Sequence, residues 1–180
     1  EYDAEHERYV IFAFDEYWLL CDQLRASQTH TYDQRLHLAP QPLANVVCTR
    51  ARGTLLAHTP NLLIAHEDIG DTTLIVEPGY VSFKYGEKHE APVVCLRQSD
   101  ADARFHTLLY PHRDAPPTIS LRELQPARTA GGGDSARACA LRVIVGVGEQ
   151  LHTDYFVYSD DTRATWRVAN YVFRGSFLAL

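Results

Sequence analysis

Hydrophobic and polar positions along this chain follow one another in short alternating runs, and helical periodicity is nearly absent. Apolar or alternating stretches lie near Arg8–Phe14, Tyr17–Gln23, Thr31–Leu38, Asn45–Arg50, Thr54–His58, Leu62–His66 and Thr72–Glu77. They continue near Tyr80–Tyr85, Val93–Arg97, Arg104–Tyr110, Thr118–Leu124, Ala138–Val147, Asp154–Ser159 and Thr165–Phe173. Turn residues separate them at Asp15-Glu16, Arg52-Gly53, Pro60-Asn61, Gly70-Asp71, Pro78-Gly79 and Ser159-Asp160-Asp161. Closely spaced strands with such punctuation predict an all-β fold: an antiparallel two-sheet β-sandwich of about a dozen or more strands, with little helix. No internal repeat or composition shift divides the chain, so residues 1–180 read as a single β-sandwich domain.

The alternation also says which faces are wet. In Ala138–Val147, Cys139, Leu141, Val143, Val145 and Val147 share one face and Arg142 lies on the other, as in a half-buried strand. The opening hairpin differs. Val10, Phe12 and Phe14 oppose Tyr9, Ile11 and Ala13, while Tyr17, Leu19 and Cys21 oppose Trp18 and Leu20. Both faces are apolar, whereas antiparallel sheets usually wet one. The expectation is therefore a hairpin covered on both sides, with Trp18 mostly buried. The stretch PARTAGGGDSARA, from Pro126 to Ala138, reads as a flexible connection. No Lys-Ser/Thr and no helix pattern follow its glycines, so it is not a P-loop.

The formal charge of -6 argues against a nucleic-acid partner, whose binding rests on phosphate neutralisation. It also disfavours a grip by this surface alone on a heavily sulfated polymer. No apolar run is long enough to span a membrane, and no signal peptide is visible. Met is absent, so the chain is expected to be an internal piece or a processed form of a longer protein. Cys21, Cys48, Cys95 and Cys139 sit in apolar runs without a C-x-x-C pair. They read as buried free thiols, with a disulfide left open. No metal site and no cofactor are expected.

The best local cluster of chemistry is GYVSFKYGEKHE, with Tyr80, Tyr85 and His89 beside Lys84 and Lys88. Tyr80 and Tyr85 have opposite parity in a strand, which speaks against a shared catalytic role. Tyr85, Lys88 and His89 are the candidate substrate-binding residues, and no catalytic residue is assigned. His30 and His37 lie on opposite faces of their strand and cannot share a metal without a bulge. His58 and His66 flank the Pro60-Asn61 turn, where a hairpin would bring them near each other. Trp166 shares a side with Val168 and Val172 and is expected to be buried.

One ordered set of motifs adds a resemblance. His6-x-Arg8-x-Val10-x-Phe12 is followed by Tyr17-Trp18-Leu19-Leu20, Asp22, His30, Tyr32 and His37-Leu38-Ala39-Pro40. Ser82-x-x-Tyr85-Gly86 then leads to Ala91-Pro92, and a later strand ends at Pro111. This order resembles the C-terminal β-sandwich of the heparinase II/III-like polysaccharide lyases. The resemblance implies a supersandwich-like fold, an upstream α/α toroid domain as partner, and an acidic polysaccharide as substrate of the parent. In that family a Tyr and a His move protons and an Asn-like group neutralises the uronate during β-elimination. Those residues and the metal ligands of some members would precede Glu1, and this chain has neither a His-Asn pair nor an H-x-H motif. The chain is thus expected to support a substrate groove without a complete active site. A stand-alone carbohydrate-binding sandwich and a purely structural interaction module remain as alternatives. Export to the periplasm or the cell exterior is implied by the resemblance alone.

Overall fold

The computed structural model of the protein describes residues 3–134 and 136–180. Fourteen strands, all paired antiparallel, and one short 3-10 turn at Leu43–Asn45 make up their regular structure. The fold is the all-β sandwich class that the punctuated pattern predicts. The chain gathers into two compact units, one up to Pro116 and the other from Pro117 onward.

The first unit is built on strands β1 (Glu5–Ala13), β2 (Tyr17–His37), β3 (Val47–Ala51), β4 (Thr54–His58), β5 (Leu62–Glu67), β6 (Thr73–Val81) and β7 (His89–Pro111). They form one sheet in the order β1-β2-β7-β5-β4-β3, with β6 on β7. β2 and β7 are each twice as long as the pattern suggests. The runs at Tyr17–Gln23 and Thr31–Leu38 fuse into β2, and those at Val93–Arg97 and Arg104–Tyr110 fuse into β7. Their register runs from Trp18↔Leu109 to Arg25↔Asp102, slips, and resumes from His30↔Asp100 to His37↔Val93. Such a slip bends and twists the ribbon. It also folds the sheet over itself, since Gln34 beyond the slip bonds to Asp22 before it. Inside the fold lie Tyr32, Leu55, Leu96, Ala103 and Phe105, with a neighbouring cluster of Leu38, Val46, Ala57, Ile64 and Val94.

Three local expectations need correction here. Pro78-Gly79 does not break a strand: both residues lie within β6, opposite Pro92 and Ala91. A Cβ at Gly79 would stand 2.4 Å from Val93 Cγ2, so this glycine permits close approach rather than a turn. Tyr80–Tyr85 is not a strand of its own either. Tyr80 and Val81 end β6, and Ser82–Lys88 forms the loop into β7. The third correction concerns the opening hairpin. On its inner face Tyr17, Leu19 and Cys21 are fully buried and Tyr9 and Ile11 partly so, but its other face is not covered. Val10, Phe12 and Trp18 on that face are 54%, 50% and 42% exposed, and Phe14 in the turn is exposed as well. The register is the expected one, with Val10↔Leu20 and Phe12↔Trp18 as cross-strand pairs. What differs is the cover: the Phe12 and Trp18 rings stack on each other, centroids 4.6 Å apart. The turn itself places Phe14 and Asp15 at φ 53° and 58°, the signature of a type I′ turn, closed by Glu16 N donating to Ala13 O at 2.9 Å.

The second unit contains β8 (Thr118–Leu124), β9 (Ala127–Ala130), β10 (Ala138–Val147), β11 (Gln150–Ser159), β12 (Thr165–Val168), β13 (Tyr171–Arg174) and β14 (Phe177–Ala179). They make a four-stranded sheet, β14-β11-β10-β8, and a three-stranded one, β13-β12-β9. Trp166 is buried, as expected, among Ala140, Val157, Ala164, Val168 and Phe173. Its indole N–H donates to Ser159 Oγ at 2.9 Å, which satisfies the ring's polar edge. The glycine run is not a loose connection. β9 occupies its start, and Gly133 N donates to Asp161 Oδ2 at 2.9 Å while Arg128 donates to Gly133 O. Asp161 also accepts from Arg163 N at 2.9 Å and from the Arg163 guanidinium, and these partners hold its carboxyl well below the usual range. The cysteines are free; Cys21, Cys95 and Cys139 are buried as expected, but Cys48, on the edge strand β3, is exposed.

Candidate functional site

The densest polar arrangement of the first unit centres on Asp22. Antiparallel pairing sets Arg8 opposite Asp22 on the same sheet face as Val10, Phe12 and Trp18. Asp22 is 1% exposed. Arg8 donates to it through Nε at 2.5 Å and Nη2 at 2.7 Å, a bidentate ion pair. His6 Nε2 lies 2.8 Å from Oδ1, and Gln34 Nε2 donates to Oδ2 at 2.6 Å. Burial pushes the Asp22 carboxyl up, but the bonds from Arg8, His6 and Gln34 outweigh it and hold it below 3.8.

The network continues inward with a fixed direction. Thr107 Oγ1 donates to Gln34 Oε1 at 2.6 Å, so its oxygen can only accept from His66 Nδ1, 3.1 Å away. His66 therefore carries its proton on Nδ1. Its ring packs 5.9 Å from Phe105, and burial pushes it down to about 4. Burial likewise pushes His106 down to about 3. A histidine kept neutral in the fold but free to protonate when unfolded destabilises the fold in acid. Stability should fall as pH drops from 6.5 towards 4, by about 3 kcal/mol from His66 at the lower end. Urea unfolding at a series of pH values, compared between the wild type and His66→Gln, reads this directly. The variant should show a shallower slope over that range; equal slopes would sink the assignment.

Of the residues singled out from the sequence, Tyr85 and Lys88 lie in the loop Ser82–Lys88, and Tyr80 and His89 lie in the strands on either side of it. Tyr85 is 107% exposed and joins no cluster. Lys88 instead reaches back to Tyr80, its Nζ 3.6 Å from the ring centroid. His89, the first residue of β7, has its ring 5.6 Å from Phe83 and its Nε2 3.5 Å from Glu87. The structure thus brings Lys88 to Tyr80 rather than to Tyr85. Behind Tyr80 lies a recess of about 160 Å³, lined also by Gln41, Leu43, Pro78, Glu90 and Pro92.

Other histidines stay apart. His58 pairs with Leu63 and His66 with Leu55, so the hairpin does not bring the two together. His58 bonds instead to Thr49 Oγ1 at 3.1 Å. His30 Nε2 lies 2.8 Å from Asp3 Oδ1, and the bonds from Ser27 and His30 lower Asp3 to about 2. On the outer side of the bent ribbon, Arg97 makes a bidentate pair with Asp33, and Arg35 reaches Glu77 at 2.6 Å.

A sequence description of the family "Heparinase II/III-like, C-terminal" matches residues 2–123. The chain belongs to this family. The matched stretch covers the whole seven-stranded sheet and all of β8 but its last residue. Among solved structures, heparan sulfate lyase HepC from Pedobacter heparinus aligns with TM-score 0.60 and 19% identity, over 84% of this chain and 23% of that one. A mutant of the same lyase aligns equally, over 24% of its chain. Heparinase III aligns with TM-score 0.63 and 14% identity, over 85% of this chain and 23% of that one. These likenesses show the fold. This heparinase II/III-like chain therefore spans about a quarter of the length of the solved structures it matches. No curated protein matches it.

Proposed function

We propose that this chain is the C-terminal β-sandwich of a polysaccharide lyase that cleaves uronate-containing polymers by β-elimination. Within that parent it supports the substrate groove and lacks a complete active site. The observation that carries this reading is the family match over residues 2–123, in a chain that spans only about a quarter of its lyase neighbours. Proton abstraction beside a uronate carboxylate requires a base, an acid and a neutralising group together. In this reading the remaining three quarters supply most of them. The uncovered Val10, Phe12 and Trp18 face fits the docking place of an upstream α/α toroid, because desolvating it returns roughly 25 cal/mol per Å² of apolar surface.

Incubating this chain alone with unsulfated and sulfated polyuronates tests the reading. No unsaturated uronate product is expected to form, by ultraviolet absorbance. Robust product would overturn the incomplete-site assignment. A second reading, a carbohydrate-binding module without any catalytic parent, is favoured by one observation: an exposed Tyr80 with a lysine held on its ring. The coding sequence upstream of Glu1 separates the two, since a long helical region supports the lyase parent.

A further inference from the structure

We infer that Arg122 and Arg142, with Tyr155 and Tyr171 beside them, form a binding site for a phosphoryl group. The site does not depend on the lyase-parent reading: all of it except Arg122 lies beyond the stretch that the family description matches. In the four-stranded sheet, Arg142 of β10 lies directly opposite Arg122 of β8 on one side and Tyr155 of β11 on the other. Directly opposite residues share a face, with Cβ atoms about 4.5–5.5 Å apart. Like charges so placed repel each other and weaken the sheet.

Nothing on this face offsets the repulsion. The flanking positions are Ser120, Leu124, Ala140, Ile144, Thr153 and Val157, none of them acidic. Glu123 and Asp154, the carboxylates of these strands, oppose Leu141 and Val143 and so alternate to the other face. Strands β9, β12 and β13 of the three-stranded sheet carry no carboxylate. Among the described residues neither arginine has an ion pair or a side-chain hydrogen bond. Arg142 is half-buried, yet its Nε is shielded from solvent and has no hydrogen-bond partner. A shielded donor without an acceptor is costly, and a bound anion would supply the acceptor. Two adjacent guanidiniums present two positive charges and two forks of donors. One carboxylate would neutralise half of that charge. A phosphoryl group brings about −1.5 to −2 at pH 7 and three acceptor oxygens, which match both arginines. Tyr155 extends the site with an aromatic surface, its ring 5.4 Å from that of the exposed Tyr171. The organic part of a phosphate ester would lie against these rings.

Titration of the isotope-labelled whole chain with sodium phosphate, phenyl phosphate, sodium sulfate and sodium acetate, at constant ionic strength, tests the site through the arginine Nε–H signals in NMR. The Arg142 and Arg122 signals should shift saturably with both phosphates and not with acetate. Phosphate should also raise the urea midpoint of the wild-type chain, because it binds the folded form. Arg142→Gln and Arg122→Gln should each weaken binding at least tenfold and lose that rise, while Arg167→Gln, at an exposed position of β12, keeps it. Without phosphate, Arg122→Gln should unfold at no lower urea than the wild type, since it removes the repulsion. Tighter binding of phenyl phosphate, lost in Tyr171→Ala, supports an ester as the ligand; equal affinity supports the free ion. Absence of saturable shifts, equal saturation by acetate, tighter binding of sulfate than of phosphate, or a phosphate response unchanged in Arg142→Gln would each overturn the site.

Discussion

Replacing Asp22 with Asn is expected to lower the unfolding free energy by about 3 kcal/mol or more. Removing one partner of a buried ion pair costs about 3–5 kcal/mol, because the other charge is left unmatched. Arg8 is only half covered, which favours the lower end of that range. The carboxylate also accepts from His6 and Gln34, so the change disturbs strands on both sides of the β2 slip. A pH signature accompanies the loss. The Asp22 carboxyl is held below its ordinary 3.8 in the fold. Its contribution is therefore fully present above that value and disappears as pH falls through the lowered folded value. Urea unfolding at neutral pH should show the drop, and Glu7→Gln, a substitution at an exposed position of β1, should stay within about 0.5 kcal/mol. A loss below about 1 kcal/mol for Asp22→Asn would mean the network is not a structural hub.

Gly131→Ala is the second large effect, expected at about 2–4 kcal/mol. The backbone at Gly131 has φ 62°, where a side chain costs about 1–2 kcal/mol. The added Cβ would also stand 2.2 Å from Arg163 O, a backbone atom that cannot rotate away. Overpacking of this kind costs typically 1–3 kcal/mol. Gly148→Ala makes a useful control. It shares a positive φ, 60°, but nothing lies within 4 Å of its Cβ, so only the conformational part should appear. Thermal unfolding of the two variants separates them. Equal midpoints would return the glycine run to a pliable linker.

The sequence pattern makes most strands legible for a physical reason: period-two alternation and turn residues are local properties. β4 and β8 run from Thr54 to His58 and from Thr118 to Leu124, and β10 from Ala138 to Val147, each with the bounds the alternation predicts. Continuity is less legible. A slip between Arg25 and His30 keeps β2 in one ladder across a polar stretch that reads as a gap. Proline and glycine in β6 look like a turn because their usual meaning is local, while here Val93 packs where a glycine side chain would be. Alternation identifies the apolar faces of the opening hairpin but carries no information on whether anything covers them.

The candidate site follows the same division. Lys88 is visible as a loop lysine, but its partner is Tyr80, five residues from the Tyr85 favoured by the motif. The Asp22 hub had a usable signal that sequence reasoning missed. An aspartate embedded in YWLLCDQL should be buried, and counting back across the Asp15-Glu16 turn sets Arg8 opposite it. Gln34 and Thr107 are out of reach of any such count, because only the bent sheet brings them there.

The central place of β7 sets the order in which this protein can assemble during synthesis. β1 with β2, and β3 with β4 and β5, are neighbours in the chain and can pair as they leave the ribosome. These groups share no ladder until β7 joins β2, β5 and β6. β6 and the second half of β2 can join β7 once His89–Asp100 has emerged, whereas β5 and the first half of β2 pair with its later residues, up to Pro111. A chain cut before β7 keeps the β1–β2 and β3–β4–β5 ladders but loses the strand that joins them into one sheet, which leaves their edges open to misassociation.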